Sequence, residues 1–191
     1  MRNTKIALFA IPAIVALMSI SLLTTSIQTT PVSVPSFDDR STVTGHVILQ
    51  VFDTNTGELK YKVENHNLVV DVGLDEMAEA TFGVGGVGST NFDFIEIGTG
   101  TTAPTATDVA IETTACARIQ DVAPDVNSGT SGETSVSVIS SFDGGTCAGS
   151  ITEAGIFNAI SANQMLARST FGAVTIGSGD TLNVNYTITI T

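Results

Sequence analysis

The 191 residues leave room for one ordinary domain once an N-terminal stretch is set aside, so a second, catalytic domain would have nowhere to fold. Nineteen Asp and Glu against seven Lys and Arg give a formal charge of −12; beyond residue 23 only Arg40, Lys60, Lys62, Arg118 and Arg168 remain as cations, leaving about −14. Phosphate backbones are bound by clustered Lys and Arg, so this balance argues against nucleic acid as a partner and suits solubility, a saline exterior or divalent cations between subunits.

The chain opens with Arg2 and Lys5, followed by an uncharged, apolar run over residues 6–23. Such a run is long for a cleaved signal core and just long enough to cross roughly 30 Å of hydrocarbon as a helix. Residues 1–25 are therefore read as a signal peptide or a membrane anchor, with the basic flank cytoplasmic and the rest extracytoplasmic, either secreted or tethered. Thr24-Thr25-Ser26 offers small residues near a cleavage point, although no Ala-x-Ala occurs. Residues 26–42, with Pro31 and Pro35 and no helical stripe, read as an extended linker; the same stretch could add a strand to a neighbouring subunit.

Strand-like alternation begins at Val43 and resumes over 58–63, with Asp53-Thr54-Asn55-Thr56-Gly57 as the turn of a hairpin. Residues 68–70 form a short buried run, after which Leu74, Met77, Ala78 and Phe82 recur at helical spacing. Four glycines over residues 83–89 predict a loop. Further strands are expected over 92–97, 113–122, 133–142, 151–157, 165–171 and 182–190. In the last, Leu182, Val184, Tyr186, Ile188 and Ile190 should face inward and the intervening Asn and Thr outward. The expected class is all-β: a β-sandwich of jelly-roll or Ig-like kind over 43–191, with one short helix, preceded by an N-terminal hydrophobic helix.

Few residues carry recognisable chemistry. Cys116 and Cys147 both lie in the exported part, where a disulfide persists; it would add on the order of 3 kcal/mol, the alternative being two separate buried thiols. His46 and His66 lack metal-ligand spacing. Gly98-Thr99-Gly100 follows a strand but has none of the remaining residues of a phosphate loop, and reads as a connection. Asp53, Asn55, Gly57 and Glu64 match a calcium-loop frame only in part: Glu58 and Lys60 stand where a glycine and an apolar residue belong, and Asp143 on another loop is no better. Asn185-Tyr186-Thr187 is a glycosylation sequon on the presumed outer face. Glu96, Asp108 and Glu153 have the acidity needed for hydrolysis but no identifiable partner in such chemistry. Glu153 is expected to pair with Arg168 across two strands. These readings predict no catalytic residues, no metal and no cofactor.

Four stretches together resemble the virion structural proteins of tailed phages and prophages, of the tail-fibre kind. They are His66-Asn67-Leu68-Val69-Val70-Asp71-Val72-Gly73-Leu74; Ile97-Gly98-Thr99-Gly100-Thr101-Thr102-Ala103-Pro104 with Asp108; Ile151-Thr152-Glu153-Ala154-Gly155-Ile156-Phe157-Asn158; and Leu166-Ala167-Arg168-Ser169-Thr170-Phe171 with the closing residues 180–191. The resemblance implies a β-sandwich used for assembly or attachment and brings no catalytic residues. The apolar N-terminal run departs from it, since a virion protein assembled in the cytoplasm needs no export. A cell-surface subunit of pilus-like or thread-like kind fits that run better. Self-association, a membrane contact through the N-terminal segment and a cell-surface receptor are the partners expected.

Overall fold

The computed structural model describes residues 42–82, 91–129, 133–161 and 164–191. The apolar run over 6–23, most of the expected linker and the glycine-rich loop lie outside them. Among the described residues no helix is long and apolar enough to cross a membrane.

Nine strands pair antiparallel in one sheet: β1 (Val43–Asp53), β2 (Leu59–Val69), β3 (Phe94–Gly98), β4 (Thr114–Gln120), β5 (Asp125–Ser128), β6 (Thr134–Asp143), β7 (Gly149–Phe157), β8 (Met165–Ile176) and β9 (Asp180–Ile190). Across the sheet they run β4-β3-β7-β8-β2-β1-β9-β6-β5. The all-β expectation with a short helix is met: α1 (Asp71–Phe82) follows β2 and rests on β8, and a single turn, α2 (Gly144–Cys147), follows β6. Asp143 caps that turn, accepting from the Gly145 amide at 2.9 Å.

Period-two alternation decides which face is buried. On β1 it buries Val47, Leu49 and Val51, and on β9 Leu182, Val184, Tyr186 and Ile188. The β1–β2 hairpin is set by Asp53, whose Oδ1 accepts from the amides of Asn55 and Thr56, both at 3.0 Å, and by Gly57, whose φ of +72° is costly for any side-chain-bearing residue.

The sheet curls because β2 and β8 pair only at Leu68↔Arg168 and Val69↔Ala167 and then diverge. The half formed by β4, β3, β7 and β8 thereby comes to share one core with the half formed by β2, β1, β9, β6 and β5. Ile95, Ile97, Ile151, Ile156 and Leu166 pack there with Leu49, Val138, Phe142, Leu182 and Tyr186. Each such side chain contributes roughly 1.5–3 kcal/mol by leaving water. The Tyr186 hydroxyl crosses this core to donate to the Ala154 carbonyl at 2.7 Å.

Curling also brings the two ends of the sheet together. β5 pairs with only residues 134–137 of β6, leaving the second half of that edge open. There the Ile139 amide donates to Asp121 Oδ2 at 2.8 Å and the Ser140 hydroxyl to the Ile119 carbonyl at 3.0 Å, both acceptors belonging to β4 or the turn after it. Cys116 on β4 and Cys147 in α2 stand at disulfide distance, with Cα atoms 5.6 Å apart. An edge that would otherwise recruit a foreign strand is thus occupied from within.

Several boundaries differ from expectation. β2 is one continuous strand where two short pieces were expected, because its inner face is continued by Asn65 and Asn67 and the apolar alternation is lost on them. β5 was not foreseen; all four of its residues are exposed, so no hydrophobic pattern marks it. The helix begins at Asp71, three residues before Leu74, where the expected apolar stripe starts, and Gly73 is its buried residue.

Candidate functional site

Between β3 and β4 the chain makes an irregular connection over residues 99–113, and the most heavily bonded side chains among the described residues hold it. Glu153, on β7, points inward and is completely buried. Its Oε1 accepts from the amides of Gly100 (2.7 Å) and Thr113 (2.9 Å). Its Oε2 accepts from the Glu112 amide (3.0 Å) and from Arg168 Nε (3.0 Å) and Nη2 (2.8 Å). The expected cross-strand pair therefore exists, but it is a buried, two-pronged one and not the weak exposed pair of a strand surface.

Arg168 reaches further. Nη1 donates to Asp108 Oδ2 at 2.7 Å, and Nη2 lies 3.7 Å from Glu112 Oε2. Asp108 in turn accepts from Thr105, at 3.1 Å from its amide and 2.6 Å from its hydroxyl. Glu112 Oε2 accepts from the Thr101 and Thr102 amides, both at 3.0 Å. The Thr152 hydroxyl donates to the Gly100 carbonyl at 2.7 Å. Glycine is required at position 100, since a Cβ there would lie 2.3 Å from Glu153 Oε1.

The electrostatics favour fixed charge. Burial opposes ionisation of Asp108, but hydrogen bonds from Thr105 and Arg168 outweigh it and hold the carboxyl below the usual range. The amide and hydroxyl of Thr102 hold the Glu112 carboxyl down as well. Burial works against the Arg168 charge too; the bonds to Asp108 and Glu153 more than offset it and raise its pKa. A general acid or base needs a pKa near the working pH, whereas these groups are driven towards permanent ionisation. What the arrangement does well is mechanical: one guanidinium and three carboxylates tie a long connection to two strands.

A second buried pair lies nearby. Arg118 Nε on β4 donates to Glu96 Oε2 on β3 at 2.7 Å, and the Thr114 hydroxyl donates to the other oxygen at 2.6 Å. The Arg118 guanidinium also lies 3.5 Å above the Phe157 ring, within cation–π range, and donates to the Ala159 carbonyl at 2.8 Å. The three acids for which no partner in hydrolysis was identifiable are all held by arginines: Glu153 by Arg168 as expected, Asp108 by the same Arg168, and Glu96 by Arg118. Strand register and the returning loop supply these cations from 15 to 60 positions away, beyond what local spacing reveals.

The other residues singled out earlier fall as follows. Of Gly98-Thr99-Gly100, Gly98 ends β3 and the other two open the connection, and the amides of residues 100–102, which a bound phosphate would need, donate to Glu153 and Glu112. Asp53 holds the hairpin turn and pairs with Lys60 at 2.8 Å, and Lys60 also pairs with Asp180 at 2.6 Å. Among the described residues no group of three or more His, Cys, Asp or Glu is arranged to hold a metal. His46 and His66, twenty positions apart, are direct cross-strand neighbours with ring centroids 5.8 Å apart, a proximity that follows from the β1–β2 register. Asn185 lies on the outer face of β9 between Ile48 and Ile139.

The four stretches that carried the resemblance meet at this site. Glu153 and Arg168 belong to the third and fourth, Gly100 and Asp108 to the second, and the first contributes Leu68, opposite Arg168, and the Asp71 amide, which donates to the Ala106 carbonyl at 2.8 Å. Comparison of the chain with family models, with curated proteins and with solved structures finds no match in any of the three.

Proposed function

We propose that this chain is an extracytoplasmic structural subunit of a surface, not an enzyme, which assembles with copies of itself or mediates attachment. In this reading residues 1–25 export or anchor it, 26–42 space it from the membrane, and 43–191 are a sandwich of jelly-roll or Ig-like general kind, made by folding one sheet on itself. The observation that carries the proposal is the use of the buried ionic groups: Arg168, Arg118 and their carboxylates brace a long connection and a sheet edge, the construction of a rigid building block. The cysteine pair that clamps the two ends of the sheet fits an oxidising exterior.

A second reading, a virion coat or tail-fibre-like attachment protein, is favoured by the convergence of the four resembling stretches on the Arg168 cluster. Both readings make a surface receptor an eligible partner, and the acidic charge disfavours nucleic acid in each.

The test is the mass and shape of the oxidised chain by light scattering and negative-stain microscopy. Filaments or a discrete oligomer are expected. A stable monomer at high concentration would overturn self-assembly and leave attachment alone.

A further inference from the structure

The outer face of the β1-β9-β6 layer differs from the rest of this acidic chain. The two registers align Thr44, His46, Ile48, Gln50 and Phe52 of β1 with alternate residues of β9 and β6, giving five rows of three. Of these fifteen residues only Asp143 carries a formal charge, and its carboxylate is engaged by α2. The central row is Ile48–Asn185–Ile139, with Ile139 44% exposed; nine of the other twelve are Ser, Thr, Asn or Gln, the exceptions being His46, Phe52 and Asp143. Some are already locked to each other: the Ser141 hydroxyl donates to Asn183 Oδ1 at 2.7 Å, and the Ser137 and Thr187 hydroxyls are 3.3 Å apart. Asn185 Oδ1, at the centre, is covered and without a hydrogen-bond partner.

We infer that this face is the contact between two copies of the chain, packed sheet against sheet. The inference rests on the self-assembly reading and names the surface that carries it. Two bodies of charge −12 repel wherever their acidic surfaces meet, and this layer is where they can approach without setting carboxylates against each other. Side chains already ordered by their neighbours lose little further freedom on contact. The Asn185 amide, once turned outward, gains the donor it lacks from the opposing copy.

The dimensions suit the role. Nine residues at a rise of about 3.3 Å and three strands about 4.8 Å apart give a patch of roughly 400 Å². Including the flanking β2 and the four residues of β5, the layer reaches roughly 600 Å², at the lower end of the roughly 600–1,000 Å² per partner of a standard interface. Lys62 and Glu64 on β2 and Asp125 on β5 then fall at the rim, where charged side chains remain solvated.

The test is sedimentation velocity of the full chain over a concentration and salt series, with Ile139→Glu and, as a second substitution at an exposed position of the same face, Ser141→Glu. Thr175→Glu, exposed on β8 in the other half of the sheet, is the control. The expected result is that either face variant weakens self-association at least roughly a hundredfold with an unchanged circular dichroism spectrum, while the control associates like the wild type. Added salt should strengthen wild-type pairing by screening the net charge. Face variants that assemble like the wild type would overturn this contact and leave self-assembly standing, as would wild-type pairing that salt dissolves. A wild type that stays monomeric throughout would overturn self-assembly itself. Loss of cell binding by a monomeric face variant would assign the layer to an outside partner and overturn the inference equally.

Discussion

Replacing Glu153 by Gln keeps the shape of the most heavily bonded side chain and removes its charge, so it isolates what the carboxylate does. Five donors converge on its two oxygens. An amide has one oxygen and one NH2 group. Whichever way it is turned, the NH2 meets either the Gly100 and Thr113 amides or the Glu112 amide and Arg168, donor against donor. Two or three buried donors lose their acceptor, at about 1–3 kcal/mol each before relaxation. Arg168, 3% exposed, keeps only Asp108 at 2.7 Å and the more distant Glu112. Removing one partner of a buried pair typically costs about 3–5 kcal/mol, and relaxation of the connection keeps the total near that figure. Urea unfolding of the oxidised chain should show this loss, a large share of the roughly 5–15 kcal/mol that holds an ordinary domain. Amide exchange should accelerate first at Gly100 and Thr113. Glu153→Leu combined with Arg168→Met should be no less damaging than Glu153→Gln, since the Gly100, Glu112 and Thr113 amides then lose the carboxylate they donate to and Asp108 loses its cation. A loss below about 1 kcal/mol with unchanged exchange would refute the view that this cluster braces the loop.

Three further outcomes are expected. Reduction of the cysteine pair, or Cys116→Ala with Cys147→Ala, should lower stability by about 3–4 kcal/mol in urea, the loop-entropy value for a separation of 31 residues, with secondary structure retained. Asp53 should titrate at about 2 instead of 3.8, owing first to its bond with Lys60 and then to the Thr56 and Asn55 amides. Because the folded pKa is the lower, its contribution is complete above the unfolded value and disappears as pH falls towards 2; side-chain NMR should show the titration returning towards 3.8 in Lys60→Met. Tyr186→Phe leaves the buried Ala154 carbonyl without its donor and should cost about 1–2 kcal/mol in the same unfolding assay. Burial, helped by the Glu153 charge, raises the pKa of that hydroxyl, so the Tyr186 absorbance should not change over the ordinary phenol range while the chain is folded.

The parts of the fold legible in the sequence are those where one face is oily and the other wet. β9 alternates without a break from Leu182 to Ile188, and four of the five residues expected to face inward are buried, with Ile190 at the strand end half-buried. β2 was divided because Asn65 and Asn67 take inner positions; Asn65 does so by donating to the Thr170 carbonyl at 2.6 Å, a bond between the diverging β2 and β8 that composition cannot announce. β5 has no buried side at all and exists only because the β6 edge offers it a ladder. The curl depends on which strand is beside which, and the two residue pairs that join β2 to β8 carry no mark of their own.

The Arg168 cluster was half legible, and the division is instructive. Glu153 and Arg168 stand out as lone charges in apolar strands, and from that alone a pair could be expected. Nothing local shows that the pair is buried, because its burial comes from the 99–113 connection folding over it, and the connection folds there because its own amides need acceptors. Cause therefore runs in both directions. The loop supplies the cover that makes the ion pair strong, and the ion pair supplies the acceptor that lets an irregular loop be buried. Gly100 is where the two requirements meet: a side chain there would force loop and carboxylate apart. Gly100→Ala should therefore reproduce much of the Glu153→Gln phenotype without touching a charge, with faster exchange at Thr113 and lower stability in urea. If Gly100→Ala leaves the Thr113 amide fully protected, the loop is held by something other than the carboxylate.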